Sequence, residues 1–155
     1  MPRPFLPYGR QSIDDSDIEA VAKVLRSDWL TTGPAVDAFD ADFAACTGAE
    51  HAIACSNGTT ALHLALAGLD VGPGDVCIVP AITFMATANA AIYCGADVVF
   101  ADVDPDTGLL TPETLQNALN DNADKNIKAI FPVHLSGQCV DMVGIRAIAE
   151  QNDLA

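Results

Sequence analysis

Apolar residues recur along this chain in two rhythms. Ile18, Val21, Val24 and Leu25 fall three and four apart, the stripe of an amphipathic helix. Ser12 is its expected N-cap, with Asp14 and Asp15 in a first turn where the dipole favours acid, and Lys23 and Arg26 follow towards the far end. After a loop at 27–34 that holds the only Trp, Pro34 opens a second helix carrying Phe39 and Phe43, with Gly48 as the expected C-cap. Beyond residue 50 a different pattern repeats four times. Short apolar, β-branched runs at 51–55, 75–79, 97–101 and 127–133 read as strands, each followed by a helical pattern at 58–68, 84–93, 112–121 and 140–151. Gly72–Asp75 and Gly95–Asp97 are the helix-to-strand turns.

Alternating strands and helices predict an α/β fold, mainly a parallel sheet with helices on both faces. The expected division is a helical N-terminal segment at 1–50 and an α/β segment at 51–155. Such sheets bind ligands at the carboxyl ends of their strands. The groups to weigh are therefore Ser56–Thr60, Pro80–Phe84, Asp102–Asp106 and His134–Gln138.

Composition narrows the partners. A net charge of −14 with seven scattered basic residues argues against nucleic acid and fits a soluble, acidic, cytoplasmic protein. Half the residues are hydrophobic, but Ala supplies much of that and no run is long enough to span a bilayer. The opening Met-Pro-Arg-Pro-Phe lacks the apolar segment of a signal peptide. Five cysteines (Cys46, Cys55, Cys77, Cys94, Cys139) show no metal-type spacing and read as small buried thiols in a reducing compartment.

The richest chemistry lies at Ser56-Asn57-Gly58-Thr59-Thr60, a strand-to-helix turn of small residues. A helix start there presents free N–H groups and partial positive charge, which suits a phosphate. Gly58 lets a ligand approach the backbone, and Thr59 and Thr60 add hydroxyls. The plainer alternative is that Asn57 or Thr59 only caps the helix. Asp102, Asp104, Asp106 and Glu113 match calcium-loop spacing, but Thr107 replaces the required Gly, Pro105 intrudes and a strand precedes. A turn leading into a helix capped at Thr111, with Pro112 at its first position, explains them better. Neither a Gly-x-Gly-x-x-Gly fingerprint after a strand nor a Gly-Lys-Ser/Thr loop occurs.

Five stretches in order give a family resemblance: Ser27–Pro34, Ser56–Leu62, Pro80–Phe84 with Ala86–Ala90, Asp102–Pro105, and Pro132–Gln138. Together they resemble the sugar aminotransferases of the DegT/DnrJ/EryC1/StrS family, which use pyridoxal phosphate on a type I aminotransferase fold. Pro7–Gln11 and Tyr93–Asp97 look most like the transaminase of pseudaminic acid synthesis. That enzyme aminates a UDP-linked 4-keto-6-deoxy-N-acetylamino sugar with glutamate as donor. The resemblance implies that Gly58, Thr59 and Thr60 hold the cofactor phosphate and Phe84 stacks on its ring. It also implies that Tyr8, Asp28, Trp29, Leu30 and Thr31 line the sugar-nucleotide site, and that the working enzyme is a homodimer. Without it, Phe84 reads equally well as core, Trp29 as loop packing and His134 as structural.

Transamination also needs a lysine to form a Schiff base and an acid on the pyridine nitrogen, which relatives carry further along the chain. Here Lys23 lies on the first helix, while Lys125 and Lys128 fall where the last strand begins, at the wrong end of the sheet. No catalytic residue is therefore expected in this chain, which reads as the amino-terminal part of the enzyme, the first part of its large domain. The last strand, around Ile127–Val133, is expected to have an open edge. A competing reading is a non-catalytic sugar-nucleotide-binding remnant; an unrelated doubly wound nucleotide-binding domain is disfavoured by the missing fingerprints.

Overall fold

The computed structural model describes Phe5 and residues 9–155. They form two compact units, one ending at Ala54 and the other spanning Cys55–Ala155.

The first unit holds α1 (Asp15–Leu25) and α2 (Pro34–Thr47). Asp14, not Ser12, caps α1. Its carboxylate accepts from the N–H of Ser16 and Asp17, while Asp17 accepts from the Asp14 N–H at 2.9 Å, closing a capping box. A carboxylate also gains from the helix dipole, which a neutral serine does not. The Ser16 hydroxyl, with the two amides, holds the Asp14 carboxyl below the usual aspartate range. Pro34 stands at the first position of α2, and Gly48 ends it at φ 72° in the left-handed region. Neither helix buries a residue within its unit: Ile18, Val21, Leu25, Phe39 and Phe43 are all exposed.

Residues 51–55 do not form the expected strand, and Ile53 is exposed. An extended apolar run becomes a strand only when a neighbour completes its ladder, and no described strand pairs with it.

The second unit runs α3 (Gly58–Gly68), β1 (Val76–Pro80), α4 (Met85–Tyr93), β2 (Asp97–Ala101), α5 (Pro112–Asp121), β3 (Ile127–Ile130), a short 3-10 turn (Leu135–Gly137) and α6 (Met142–Gln151). The three strands are parallel in the order β2-β1-β3. Every residue of the central strand β1 is buried, as a continuous apolar run requires when helices cover both faces. Cys77 and Ala129 pack with Leu66 of α3 and with Ala90 and Ala91 of α4 in one core. Val76, Ile78, Val99 and Ala101 pack with Leu115 of α5 and Ile145 of α6 in the other.

Strand β3 stops three residues before the predicted end. Phe131 still donates to Ile78 O at 2.9 Å, but Pro132 has no N–H and the ladder cannot continue. The outer edge of β3 is not wholly open either: Ala155 donates to Lys128 O at 3.1 Å and accepts from Ile130 N at 2.9 Å, one rung of parallel pairing. Helix α6 begins two residues later than predicted, because Val140 is buried ahead of it and Asp141 supplies the cap.

The cysteines correct another expectation: Cys77 is buried and Cys94 half-buried, but Cys46, Cys55 and Cys139 are exposed. Burial, with Cys94 and Asp75 nearby, pushes the Cys77 thiol up to about 11. Among the described residues no helix is long and apolar enough to cross a membrane.

Candidate functional site

In the second unit the chain gathers its chemistry at one edge of the sheet. Helix α4 leaves the carboxyl end of β1 through Ala81–Phe84. The connection 69–75 brings the C-terminus of α3 to the amino end of β1, and α3 packs along α4. The N-terminus of α3 therefore lies at the same edge as Phe84, Asp102 and His134.

The turn before α3 is ordered by Asn57. Its Oδ1 accepts from the Thr60 N–H at 2.9 Å and from the Thr60 hydroxyl at 3.2 Å. Ser56 Oγ lies 3.2 Å from Thr60 Oγ1 and accepts from Asn57 Nδ2 at 3.2 Å. Asn57 is thus the helix cap that the plainer alternative named, yet capping does not exhaust the turn. Among the described residues, the N–H groups of Gly58 and Thr59 and the Thr59 hydroxyl donate to no protein acceptor. Gly58 has ordinary helical backbone, and a Cβ built on it would meet nothing within 4 Å. Neither strain nor crowding demands glycine there, and the space beside it is open.

Phe84 precedes the first turn of α4 and makes no side-chain cap; it is 78% exposed. Its aromatic face is therefore available at the sheet edge rather than buried as core. Behind it Thr83 Oγ1 and Thr87 Oγ1 lie 2.9 Å apart, and Thr87 is the one buried polar side chain among the described residues. This pair was missed by the sequence reading; its only signal is the four-residue spacing across a helix start.

Asp104, Asp102 and His134, at the same edge, each accept from neighbouring groups of the chain. Asp104 accepts from the Thr107 hydroxyl, the Thr107 N–H and the Asp106 N–H, and these bonds hold its carboxyl below the usual range. Asp102 accepts from the Val103 N–H at 2.8 Å. His134 Nδ1 accepts from the Val140 N–H at 3.2 Å, which fixes the neutral ring's proton on Nε2.

In the first unit, Trp29 lines an apolar cavity of about 430 Å³ with Lys23, Val24, Ser27 and Pro34. Gly33, at φ 88°, presses on the indole stem: an added Cβ would stand 2.9 Å from Trp29 Cβ. Ser27 Oγ donates to Val24 O at 2.7 Å and accepts from the Trp29 N–H at 3.2 Å. Asp28, Leu30 and Thr31 are exposed in the same loop but do not line the cavity. Tyr8 lies outside the described residues.

A family model described as the DegT/DnrJ/EryC1/StrS aminotransferase family matches residues 11–155. The chain belongs to that family. Among solved structures, an aminotransferase from Psychrobacter cryohalolentis is 40% identical over 97% of this chain, with a TM-score of 0.85. A 3-amino-5-hydroxybenzoic acid synthase is 37% identical over 99%, with a TM-score of 0.86. The pyridoxal-phosphate form of a candidate sugar aminotransferase from Streptococcus pneumoniae is 31% identical over 95%, with a TM-score of 0.85. Its parallel sheet and flanking helices are thus a partial aminotransferase domain: the chain spans 37%, 39% and 36% of those three proteins respectively. Within this DegT-type chain, no lysine reaches the carboxyl edge of the second unit, since Lys125 precedes β3 and Lys128 is its second residue.

Proposed function

We propose that this chain supplies part of a pyridoxal-phosphate-dependent sugar-nucleotide aminotransferase. The observation that carries the reading is the turn at Gly58–Thr59, where two N–H groups and a hydroxyl have no acceptor among the described residues and the space beside Gly58 is open, in a family with cofactor-bound members. Two amides at a helix start, a hydroxyl and a glycine that leaves room for close approach are a donor set suited to a phosphate dianion.

In this reading Gly58, Thr59 and Thr60 form the phosphate cradle, and the open face of Phe84 supports the cofactor ring. When bound, the cofactor supplies the electron sink that lets an amino group move between carbon skeletons. The chain's own part is to bind and orient. Tyr8, Asp28, Trp29, Leu30 and Thr31 are assigned to the nucleotide-sugar site, where a half-exposed indole offers a stacking surface. Residues 51–155 are assigned to the first part of the cofactor domain and 1–50 to an N-terminal helical segment. The proposed substrate is a UDP-linked 4-keto-6-deoxy-N-acetylamino sugar of the pseudaminic acid route, with glutamate as donor, in a cytoplasmic homodimer. The proton-shuttling lysine is assigned to polypeptide other than residues 1–155, so the chain alone is expected to transfer no amine.

The absence of a lysine at the sheet edge also favours a second reading, a sugar-nucleotide-binding remnant without catalysis. Incubation of the holoenzyme with the keto sugar and glutamate, followed by mass spectrometry, separates the two. The first reading expects an amino sugar and 2-oxoglutarate in equal amounts. Tight sugar-nucleotide binding without cofactor binding or amine transfer would favour the remnant.

A further inference from the structure

Phe84 occupies a position for which its side chain is ill suited. It stands at the N-cap of α4, where Ser, Thr, Asn and Asp are favoured because their oxygens accept from the first amides of the helix; a phenyl ring accepts nothing. Its backbone is extended, at φ -70° and ψ 140°, and its ring is exposed. The start of α4 is held instead by Thr87, three residues on. The Thr87 N–H donates to Phe84 O at 3.0 Å, and the Thr87 and Thr83 hydroxyls lie 2.9 Å apart. Thr87 is only 6% exposed, and among the described residues its hydroxyl has no partner but Thr83, which is half-buried. These two bonds bracket Phe84 Cα and so set the direction in which its side chain leaves the backbone. Further back, the Ala81 N–H donates to Ala101 O at 2.9 Å, which ties the connection to the end of β2.

We infer that Thr87 and Thr83 are positioning residues for the reaction: their hydroxyl pair holds Phe84 in the orientation in which it meets the cofactor ring. The pair acts through Phe84 rather than through a contact of its own. This rests on the ring-supporting role read for Phe84 above, and it assigns the geometry of that role to two residues outside the phosphate turn. A residue chosen only to start α4 would be a cap. An aromatic ring is tolerated there because hydroxyls on either side of it do the holding.

In the intact enzyme, the Kd for pyridoxal, which lacks the phosphate, reads the ring contacts, and the visible circular dichroism of bound pyridoxal phosphate reads the ring's orientation. Thr87→Val keeps the shape of the buried side chain and leaves Thr83 free to turn to water, so the fold should survive with a lower Tm. It should weaken pyridoxal about two- to tenfold, the size of one aromatic ring contact, and reduce the dichroism. Thr87→Ser should keep both. Thr83→Val should match Thr87→Val in affinity but cost more Tm, because it leaves the buried Thr87 hydroxyl unpaired. In a Phe84→Leu background, which has lost the ring, Thr87→Val should lower Tm again yet change pyridoxal affinity no further, as expected if it acts only through Phe84. A Thr87→Val enzyme with wild-type pyridoxal affinity and dichroism would overturn the inference, as would an undiminished Thr87→Val effect on affinity in the Phe84→Leu background. Phe84→Leu without effect on pyridoxal affinity would instead remove the ring reading itself, and this inference with it.

Discussion

Single residues separate a capped helix from a binding turn. If the turn at Ser56–Thr60 were only a cap, Gly58→Ala would be harmless or favourable, because alanine is preferred in helices by up to about 1 kcal/mol and open space awaits its Cβ. The cradle account expects Tm to hold or rise while cofactor affinity drops about tenfold or more, since a methyl group stands where the phosphate must approach. Thermal melts paired with cofactor titration check this; unchanged affinity would reduce Gly58 to a neutral choice. Cys77 offers a test of the layers. Its thiol is raised from the ordinary 9.0 to about 11 by burial, so the folded state keeps a proton that the unfolded state gives up. Stability from this source is complete below about pH 9 and is lost between 9 and 11. Cys77→Ala should therefore flatten the alkaline limb of the stability curve. Thiol titration at neutral pH should label Cys46, Cys55 and Cys139 well before Cys77.

At the scale of elements, helix α4, strand β2 and helix α5 were legible to within a residue, because caps, prolines and apolar runs act locally. The misreadings arise where a strand lacks a neighbour or where one local signal outcompetes another. Residues 51–55 have a strand's composition and no ladder, β3 loses its ladder at Pro132, and Asp14 outcompetes Ser12 as a cap through its reciprocal bond with Asp17. At the site, the phosphate turn and the place of Phe84 were legible from strand–helix alternation. The engagement of the Thr60 hydroxyl by Asn57 was not, since it depends on which hydroxyl the carboxamide captures. The contact of α5 with α6 gives a further prediction. A Cβ on Gly144 would stand 2.5 Å from Pro112 Cγ and 2.7 Å from Asp141 Oδ2. Gly144→Ala should thus destabilise by about 1–3 kcal/mol in denaturant melts despite alanine's better helix propensity, because the two helix starts must separate. A stabilised variant would show that this approach is looser than described.

For the whole molecule, the two units present different problems. The second closes two cores around one central strand, while the first leaves Ile18, Val21, Leu25, Phe39 and Phe43 exposed. Phe84 and Phe100 are exposed on the second unit as well. The lysine distribution makes the functional expectation sharp. Borohydride reduction of the 155-residue chain with pyridoxal phosphate should leave no single stoichiometric lysine adduct, because Lys125 and Lys128 lie at or near the amino end of β3. Peptide mapping reads the outcome, and a unique adduct with glutamate-dependent turnover would contradict it. The central claim is more direct still: the turn before α3 is where this DegT-family chain holds its cofactor. A crystal structure of the protein grown with pyridoxal phosphate tests it. The account predicts the phosphate within hydrogen-bond reach of the Gly58 and Thr59 amides with the ring against Phe84, and a phosphate held anywhere else would contradict it.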